Sequence, residues 1–222
     1  MTTRLKLMVI GAGGFGQEVI WAAKCFNCIH PMYDIVGYCD DDPTKRGRTV
    51  YGYPVLGALE EVDRELSPKP AFVCAVGRNA DRKKVVGRAL ALGWVPVTII
   101  DPTVVVAEGV TVGGGSYVGA GSILSPEARI GSHVIINHAC SIGHNSVLED
   151  FVQVSPGGRV SGACRLKEGS MLASNAVLAP GVTLGAFSTL GACSFAMRDI
   201  DDHVTAVGNP ARIIARRRSG TK

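Results

Sequence analysis

The second half of the chain repeats its hydrophobic positions with a period of six residues. From Val106 to Leu190 every sixth residue is aliphatic, at fifteen successive positions without an exception. A small or β-branched residue stands two positions before the aliphatic one, and glycine often follows it. In a repeat of six residues, each short strand forms one side of a triangular prism with tight corners and a narrow interior. The period therefore predicts a left-handed parallel β-helix of hexapeptide repeats, with about five coils of roughly eighteen residues.

The first hundred residues follow a different pattern, in which short apolar runs alternate with helical periods. We expect strands at residues 7–10, 34–39 and 71–76, and helices at 16–24 and 79–92, with Asn79 as an N-cap and Gly93 as a terminator. Alternation of this kind is typical of a parallel sheet. The prediction is an α/β Rossmann-like β-α-β unit over residues 1–97, then the β-helix with a C-terminal tail over residues 98–222.

A glycine-rich segment joins the first strand to the first helix. The run Gly11-Ala-Gly13-Gly14-Phe15-Gly16 has the spacing and position of loops that hold a phosphate at a helix N-terminus, and Asp40-Asp41-Asp42 follows the second strand. A Rossmann domain places its ribose-binding acid near there. A ligand that carries a nucleotide is favoured over a purely structural turn. A dehydrogenase fits poorly, because the second half of a dinucleotide fold is missing.

Composition and cysteine usage describe an ordinary globular protein. Hydrophobic residues make up 46% of the chain and charged residues 19%. The N-terminus lacks the pattern of a secretory signal, and no stretch is long enough for a membrane span, so we expect a cytoplasmic protein without a membrane partner. The seven cysteines are then expected to be reduced, with Cys140 and Cys164 filling the small inward positions of the coil.

The net charge of +4 comes largely from the tail Arg212 to Lys222, where Arg216-Arg217-Arg218 could contact a phosphate or a nucleic acid. A solvated tail is the favoured interpretation, and no nucleic-acid partner is expected.

Histidines are the candidates for chemistry inside the coil. His138 and His144 occupy the same repeat phase, so periodicity alone does not choose between them. A general base also needs a backbone N–H nearby to hold an oxyanion. Gly162 follows His144 by one coil of eighteen residues, whereas the residue one coil after His138 is Pro156, which has no N–H. That difference favours His144. The γ-class carbonic anhydrases build a shared metal site on such a coil with a third ligand about two coils upstream of a histidine pair, and the region near residue 97 offers none, so we expect no metal.

The combined motifs resemble one family. The glycine loop, YGYPVLG (51–57), AVGRNADRKK (75–84), the coil and the closing AVGNPAR (206–212) are similar to bacterial nucleotide-sugar acetyltransferases that act on UDP-4-amino sugars and perosamine, a group that includes the sialic acid O-acetyltransferases. The resemblance implies a homotrimer in which the N-terminal unit holds the nucleotide sugar. It also implies that acetyl-CoA lies between the coils of neighbouring subunits.

The resemblance assigns roles residue by residue. It implies that His144 is the base, that Asn145 stands where the family often has an acid, and that Gly162 binds the thioester carbonyl. Gln153 replaces a histidine near the acetyl group, and Phe15 replaces a frequent histidine of the glycine loop. The residues that would face CoA are Gln153, Gly162, Ser174 and Ala192. Those that would face the nucleotide sugar are Gly13, Gly14, Phe15, Asp40, Asp41 and Gly77.

The function expected from the sequence is acetyl transfer from acetyl-CoA to the amino group of a nucleotide-linked 4-amino-4,6-dideoxysugar. Two alternatives stay open at this point. One is O-acetylation of a sugar hydroxyl by the same residues, and the other is a trimeric nucleotide-binding scaffold without enzymatic activity.

Overall fold

A computed structural model describes residues 4–216 of the chain, which divides into two compact units, Met1–Pro102 and Thr103–Lys222. Arg217 and Arg218, part of the predicted solvated tail, lie outside the described residues. Among the helices of residues 4–216, none combines the length and the apolar character needed to span a bilayer.

The first unit is a mostly parallel sheet with helices. Its strands are β1 (Leu5–Ile10), β2 (Tyr33–Cys39), β3 (Thr49–Val50), β4 (Tyr53–Gly57), β5 (Ala71–Cys74) and β6 (Val95–Pro96), and the strand that follows in the chain, β7 (Ile99–Ile100), does not belong to this sheet. Its helices are α1 (Gly14–Ile29), α2 (Leu59–Glu65) and α3 (Asn79–Ala91), with a short 3-10 helix at Pro43–Lys45. The first six strands have the order β3-β4-β2-β1-β5-β6, and only β3 runs antiparallel to its neighbour.

Several bounds differ from the sequence prediction: α1 begins at Gly14 rather than at residue 16, α3 ends at Ala91 rather than at residue 92, and β5 ends at Cys74 rather than at residue 76. Helix α1 continues past residue 24 to Ile29, and the side chain of Asn27 bonds the backbone of Met32 and Tyr33, which fixes the turn into β2. The N-cap of α3 is Arg78 rather than Asn79, which is already the first helical residue. The predicted N-cap was therefore wrong by one residue, an uncertainty common at helix ends.

The chain order places three strand ends together. Strand β1 lies between β2 and β5, so the chain leaves β1 toward one side of the sheet and later returns on the other. This reversal opens a crevice at the carboxyl ends of the strands, where open α/β sheets bind their ligands. The glycine loop follows β1, Asp40 follows β2, and Ala75 follows β5.

The second unit consists of two-residue strands stacked in three parallel sheets. One face contains β10 (Tyr117–Val118), β13 (Ile135–Ile136), β16 (Gln153–Val154), β19 (Met171–Leu172) and β22 (Thr189–Leu190), continued by β24 (Val204–Gly208) and the antiparallel β25 (Ala211–Arg216). The second contains β8 (Val105–Val106), β11 (Ile123–Leu124), β14 (Ser141–Ile142), β17 (Arg159–Val160), β20 (Val177–Leu178) and β23 (Phe195–Ala196). The third contains β9 (Thr111–Val112), β12 (Arg129–Ile130), β15 (Val147–Leu148), β18 (Arg165–Leu166) and β21 (Thr183–Leu184).

From β8 to β20 each strand pairs in register with the strand eighteen residues later, as Ile142 does with Val160, whereas β22 pairs with β24 sixteen residues later. The aliphatic residue of each repeat points inward, and it is at most 4% exposed from Val118 to Leu190. Val106 is 48% exposed, because the first coil has a neighbouring coil of its own unit on one side only. The predicted β-helix and its register are confirmed.

Candidate functional site

Two helices of the first unit begin beside the crevice without a side-chain cap. Helix α1 has Gly13 as its N-cap, which carries no side chain, and the side chain of Arg78, the N-cap of α3, does not bond the helix backbone. The N–H groups and the helix dipole at a helix N-terminus favour an anion. A cavity of about 140 Å³ lies at this edge of the sheet. Its lining residues are Ile10, Gly11, Cys39, Asp40, Asp41, Val76 and Val85.

The residues predicted to face the nucleotide sugar lie around this crevice. Asp40 and Asp41 line the cavity, and Gly77 is the exposed neighbour of Val76 in its wall. Gly13 and Gly14 are exposed at the start of α1, and Phe15 is half-buried. An added Cβ atom at Gly13, Gly14 or Gly77 would meet nothing within 4 Å, so a ligand can approach the backbone closely at all three.

Asp40 holds the glycine loop. Its Oδ2 atom accepts hydrogen bonds from the N–H of Ala12 and from Lys45 Nζ, each at 2.8 Å, and its Oδ1 atom accepts one from the N–H of Asp42. Burial by itself would raise the pKa of Asp40, but the bonds from Lys45, Asp42 and Ala12 outweigh it and hold the pKa below its usual value. The carboxylate thus stays ionised and fixes the loop and Lys45 at the crevice.

Three basic residues near the crevice of the first unit were not predicted from the sequence. Besides Lys45, Arg88 of α3 forms ion pairs with Asp41 and Glu60, each with a shortest distance of 2.6 Å. Arg82 is 1% exposed and donates to the carbonyl of Val76 at 3.1 Å. Burial lowers the pKa of Arg82 to about 10, so the guanidinium is still charged at neutral pH.

His144 lies at the corner that follows β14, and its ring is oriented by the next residue. His144 Nδ1 and Asn145 Oδ1 are 2.9 Å apart. Because an amide oxygen only accepts, this bond places the proton on Nδ1 and leaves the Nε2 lone pair free. Asn145 has φ of 58°, a left-handed conformation that asparagine tolerates well, and both side chains are exposed.

Gly162 lies directly beneath the His144 ring. A Cβ atom added to Gly162 would overlap His144 Nε2 and stand 2.6 Å from Cε1, so the ring occupies the space that a side chain would fill. The two turns are tied together by the N–H of Ala163, which donates to the carbonyl of His144 at 2.8 Å. Among the described residues, no acceptor bonds the Gly162 N–H. The predicted base and the predicted oxyanion donor therefore lie side by side.

His138 lies on a different edge of the prism. The N–H of Gly157 donates to the His138 carbonyl at 3.0 Å, which stacks Pro156 on His138 one coil later. The ring of His138 packs against Gly119, whose added Cβ atom would stand 2.8 Å from His138 Nδ1. The turn at His138 has the same hydrogen bond as the turn at His144. The residue one coil later is Pro156 at His138 and Gly162 at His144.

The predicted CoA residues Ser174 and Ala192 continue the edge of His138. The N–H of Asn175 donates to the carbonyl of Pro156, and the N–H of Cys193 donates to that of Ser174. Gln153 lies on the sheet that leads into this edge, where its Oε1 atom is buried without a hydrogen-bond partner among the described residues. Within one chain the structure therefore brings His144 and Gly162 together on one edge, and Ser174 and Ala192 together on another.

Other candidates for chemistry are accounted for by packing. Cys140 and Cys164 are each 1% exposed, and burial raises the pKa of the Cys140 thiol to about 11, so both act as core fillers, as predicted. Within residues 4–216, no group of three or more histidine, cysteine or acidic side chains is arranged to hold a metal ion.

Known proteins share both halves of this arrangement. Residues 6–89 match the PglD N-terminal domain family. The GDP-perosamine N-acetyltransferase of Escherichia coli O157:H7 is 26% identical over 219 residues, which cover 94% of this chain and 96% of that protein. The serine acetyltransferase of Haemophilus influenzae is 28% identical over 102 residues, and the match spans only 38% of its length.

Two solved structures superpose on nearly the whole chain. One is a histidine-to-asparagine variant of perosamine N-acetyltransferase from Caulobacter crescentus in complex with CoA and GDP-perosamine, with 30% identity and a TM-score of 0.87, covering 97% of this chain and 98% of that one. The other is the acetyltransferase domain of PglB from Neisseria gonorrhoeae with acetyl coenzyme A, with 33% identity and a TM-score of 0.87, covering 96% and 100%. The chain belongs to the hexapeptide-repeat family of nucleotide-sugar N-acetyltransferases, and the predicted family is confirmed.

Proposed function

We propose that this protein transfers the acetyl group of acetyl-CoA to the amino group of a nucleotide-linked 4-amino-4,6-dideoxysugar. His144 is the general base, and the N–H of Gly162 is the oxyanion donor. The observation that carries the proposal is the stacking of the His144 ring on Gly162, with Nδ1 held by Asn145 at 2.9 Å. A free imidazole nitrogen beside an unbonded backbone N–H is what acyl transfer requires.

The reaction needs no covalent enzyme intermediate. The sugar amine attacks the thioester carbonyl, and the Gly162 N–H stabilises the negative charge that forms on its oxygen. His144 Nε2 takes a proton from the amine nitrogen. The C–S bond then breaks, the amide forms, and the departing CoA thiolate receives the proton from His144.

Asn145 favours an amine over a hydroxyl as the acceptor. An amide oxygen orients the imidazole but adds no negative charge that would increase its basicity. A neutral amine attacks before it loses its proton, whereas a hydroxyl needs a stronger base during the attack. O-acetylation therefore remains the second candidate, and it would use the same His144 and Gly162.

The separation of the two edges supports a site built from two copies of the chain. Ser174 and Ala192, the expected CoA contacts, do not share an edge with His144. A cyclic trimer of parallel prisms would bring one subunit's His144 edge against its neighbour's Ser174 edge, and each interface would then hold one acetyl-CoA. We therefore propose a homotrimer with acetyl-CoA as co-substrate between subunits.

The N-terminal unit is proposed to hold the nucleotide sugar. Two uncapped helix starts, the Asp40-bound glycine loop and the cavity beside Gly77 suit the diphosphate and ribose of such a ligand. The perosamine N-acetyltransferase structure from Caulobacter crescentus, which contains CoA and GDP-perosamine, supports this class of ligand.

The test is a CoA-release assay with acetyl-CoA and a panel of UDP-, GDP- and dTDP-linked 4-amino-4,6-dideoxysugars, each compared with its 4-hydroxyl analogue. The proposal expects turnover with at least one amino sugar and at most about a hundredth of that rate with the analogue. A preference for the hydroxyl compound would establish the O-acetyltransferase alternative. Binding of the nucleotide sugars without binding of acetyl-CoA would support the non-enzymatic scaffold.

A further inference from the structure

A buried serine lies directly behind the proposed oxyanion donor. Ser146 follows Asn145 in the chain and is 0% exposed, because its side chain points into the prism. Ser146 Oγ donates to the carbonyl of Ser161 at 2.9 Å and accepts from the N–H of Cys164 at 3.1 Å. One hydroxyl thus joins both ends of the turn that contains Gly162.

The bond to Ser161 fixes the direction of the Gly162 N–H. The Ser161 carbonyl and the Gly162 N–H belong to one peptide unit, and that peptide is trans. In a trans peptide the C=O and the N–H point in opposite directions. Because the Ser161 carbonyl points inward to Ser146, the Gly162 N–H points outward, to the surface where the His144 ring lies.

Two equivalent serines, Ser116 and Ser122, lack this free donor, whereas Ser188 bonds the Asp201 carbonyl and the next N–H, that of Asp202, also has no acceptor among the described residues. Ser116 bonds the Gly131 carbonyl, but the next N–H, that of Ser132, is taken by the side chain of Asp150. Ser122 bonds the Asn137 carbonyl, but the N–H of His138 is taken by the Asn137 side chain. Ser146 bonds the Ser161 carbonyl in the same way, and the next N–H, that of Gly162, has no acceptor among the described residues.

We infer that Ser146 is a positioning residue for catalysis, which holds the Gly162 N–H in the direction of the developing oxyanion. The inference rests on the proposed function and adds a residue to it. The bonds of Ser146 to Ser161 and Cys164 are already formed in the free protein. The Gly162 N–H therefore needs no reorganisation when negative charge develops on the thioester oxygen. Ser146 contacts no substrate and acts only through the Ser161–Gly162 peptide.

The test compares three variants. Ser146→Ala removes both bonds, and alanine already occupies this repeat position at Ala128 and Ala176. Ser116→Ala is the matched control, since it loses the same pair of bonds at an equally buried position. Ser146→Cys is the conservative variant, because the thiols of Cys140 and Cys164 in the same repeat position lie 3.2 Å from the corresponding carbonyls.

We expect Ser146→Ala to lower kcat on the order of tenfold, with both KM values within about twofold of the wild type. Ser116→Ala should lower Tm by a similar amount and leave kcat unchanged, and Ser146→Cys should recover part of the lost kcat. Equal kcat values for Ser146→Ala and Ser116→Ala would overturn the inference.

A measurement that does not depend on turnover separates this inference from the proposed function. In protein labelled with 15N-glycine, acetyl-CoA should shift the amide resonance of Gly162 in the wild type and in Ser116→Ala, but much less in Ser146→Ala. The same shift in all three proteins would overturn the role of Ser146. Absence of amino-sugar turnover in the wild type would instead contradict the proposed function, whatever the resonance shows.

Discussion

His144 Nδ1 lies 2.9 Å from the side-chain oxygen of Asn145, so the imidazole is oriented by a neutral group. The family often has an acid at this position, and the difference leads to a prediction about pH. Asn145→Asp places a negative charge beside the ring, which favours the protonated imidazole. The acid limb of kcat/KM against pH should move upward by about one unit, less than in a buried pair because both side chains are exposed.

The control for this prediction is Asn145→Ala, which removes the bond without adding charge. It should lower kcat/KM without moving the acid limb, since only the orientation of the ring is lost. Every assay uses the same amino sugar, so the titration of its amino group affects the pH profiles of the wild type and of both variants equally. An unchanged profile in Asn145→Asp would show that His144 does not set the acid limb.

The contact between His144 and Gly162 predicts a strong effect from one added methyl group. Gly162→Ala keeps the N–H and has no positive φ to strain it, but its Cβ atom takes the space of the imidazole. Turnover should fall on the order of a hundredfold, as the base and the donor can no longer share the site. Gly87→Ala is the control, since an added Cβ atom there meets nothing within 4 Å and activity should be unchanged. Full activity in Gly162→Ala would contradict the proposed geometry.

Asp40 should make the stability of the protein depend on pH. Its pKa is lowered in the folded state, so its contribution is present above the unfolded pKa of about 3.9 and is lost as the pH falls through the folded value. Asp40→Asn should therefore reduce the free energy of unfolding by about 1–2 kcal/mol at pH 7, and by less than half of that at about pH 3.

Urea titrations at both pH values measure this difference, and the exposed Asp34→Asn serves as a control with no expected effect at pH 7. A loss in Asp40→Asn that is the same at both pH values would show that the ionised carboxylate is not what stabilises the glycine loop.

The proposed trimer predicts complementation between inactive variants. His144→Ala lacks the base, and Ser174→Trp should block the opposite edge, so each pure protein should have little activity. In randomly mixed trimers about a quarter of the interfaces combine an intact His144 with an intact Ser174. Activity should therefore return to about a quarter of the wild-type rate after unfolding and refolding of an equal mixture. No recovery, with trimers verified by native mass spectrometry, would show that one chain supplies both edges.

The coil and the stacking of His144 on Gly162 could be predicted because an uninterrupted repeat fixes which residues lie one coil apart. An uninterrupted eighteen-residue coil places Gly162 on His144 whatever the surface residues are, and the same count places Pro156 on His138. Ser146 was predicted to lie inside for the same reason. Its bonds to Ser161 and Cys164 were not predicted, because a repeat pattern specifies burial but not the partners of a hydroxyl.

The crevice at the carboxyl ends of β1, β2 and β5 was predicted less completely. The glycine loop and Asp40 carry a recognisable spacing, but Arg82 was missed. It shares the buried face of α3 with Val86 and Ala89, at intervals of four and seven residues, and a charged residue on such a face is normally read as an interruption of the apolar pattern. The spacing of Arg82 relative to Val86 and Ala89 was the sequence feature that could have shown that Arg82 is buried. The ion pairs of Arg88 with Asp41 and Glu60 depend on how α2 and α3 pack, which no local pattern contains.

The choice of His144 over His138 as the general base is tested by the single-turnover rate of acetyl transfer in His144→Ala and His138→Ala, with acetyl-CoA and the amino sugar both bound. The two histidines share a repeat phase, so they differ mainly in what lies one coil later, Gly162 or Pro156. We predict a loss on the order of a hundredfold or more in His144→Ala and less than about tenfold in His138→Ala. A greater loss in His138→Ala would contradict the account, because it would place the base on the edge that has no backbone donor one coil later.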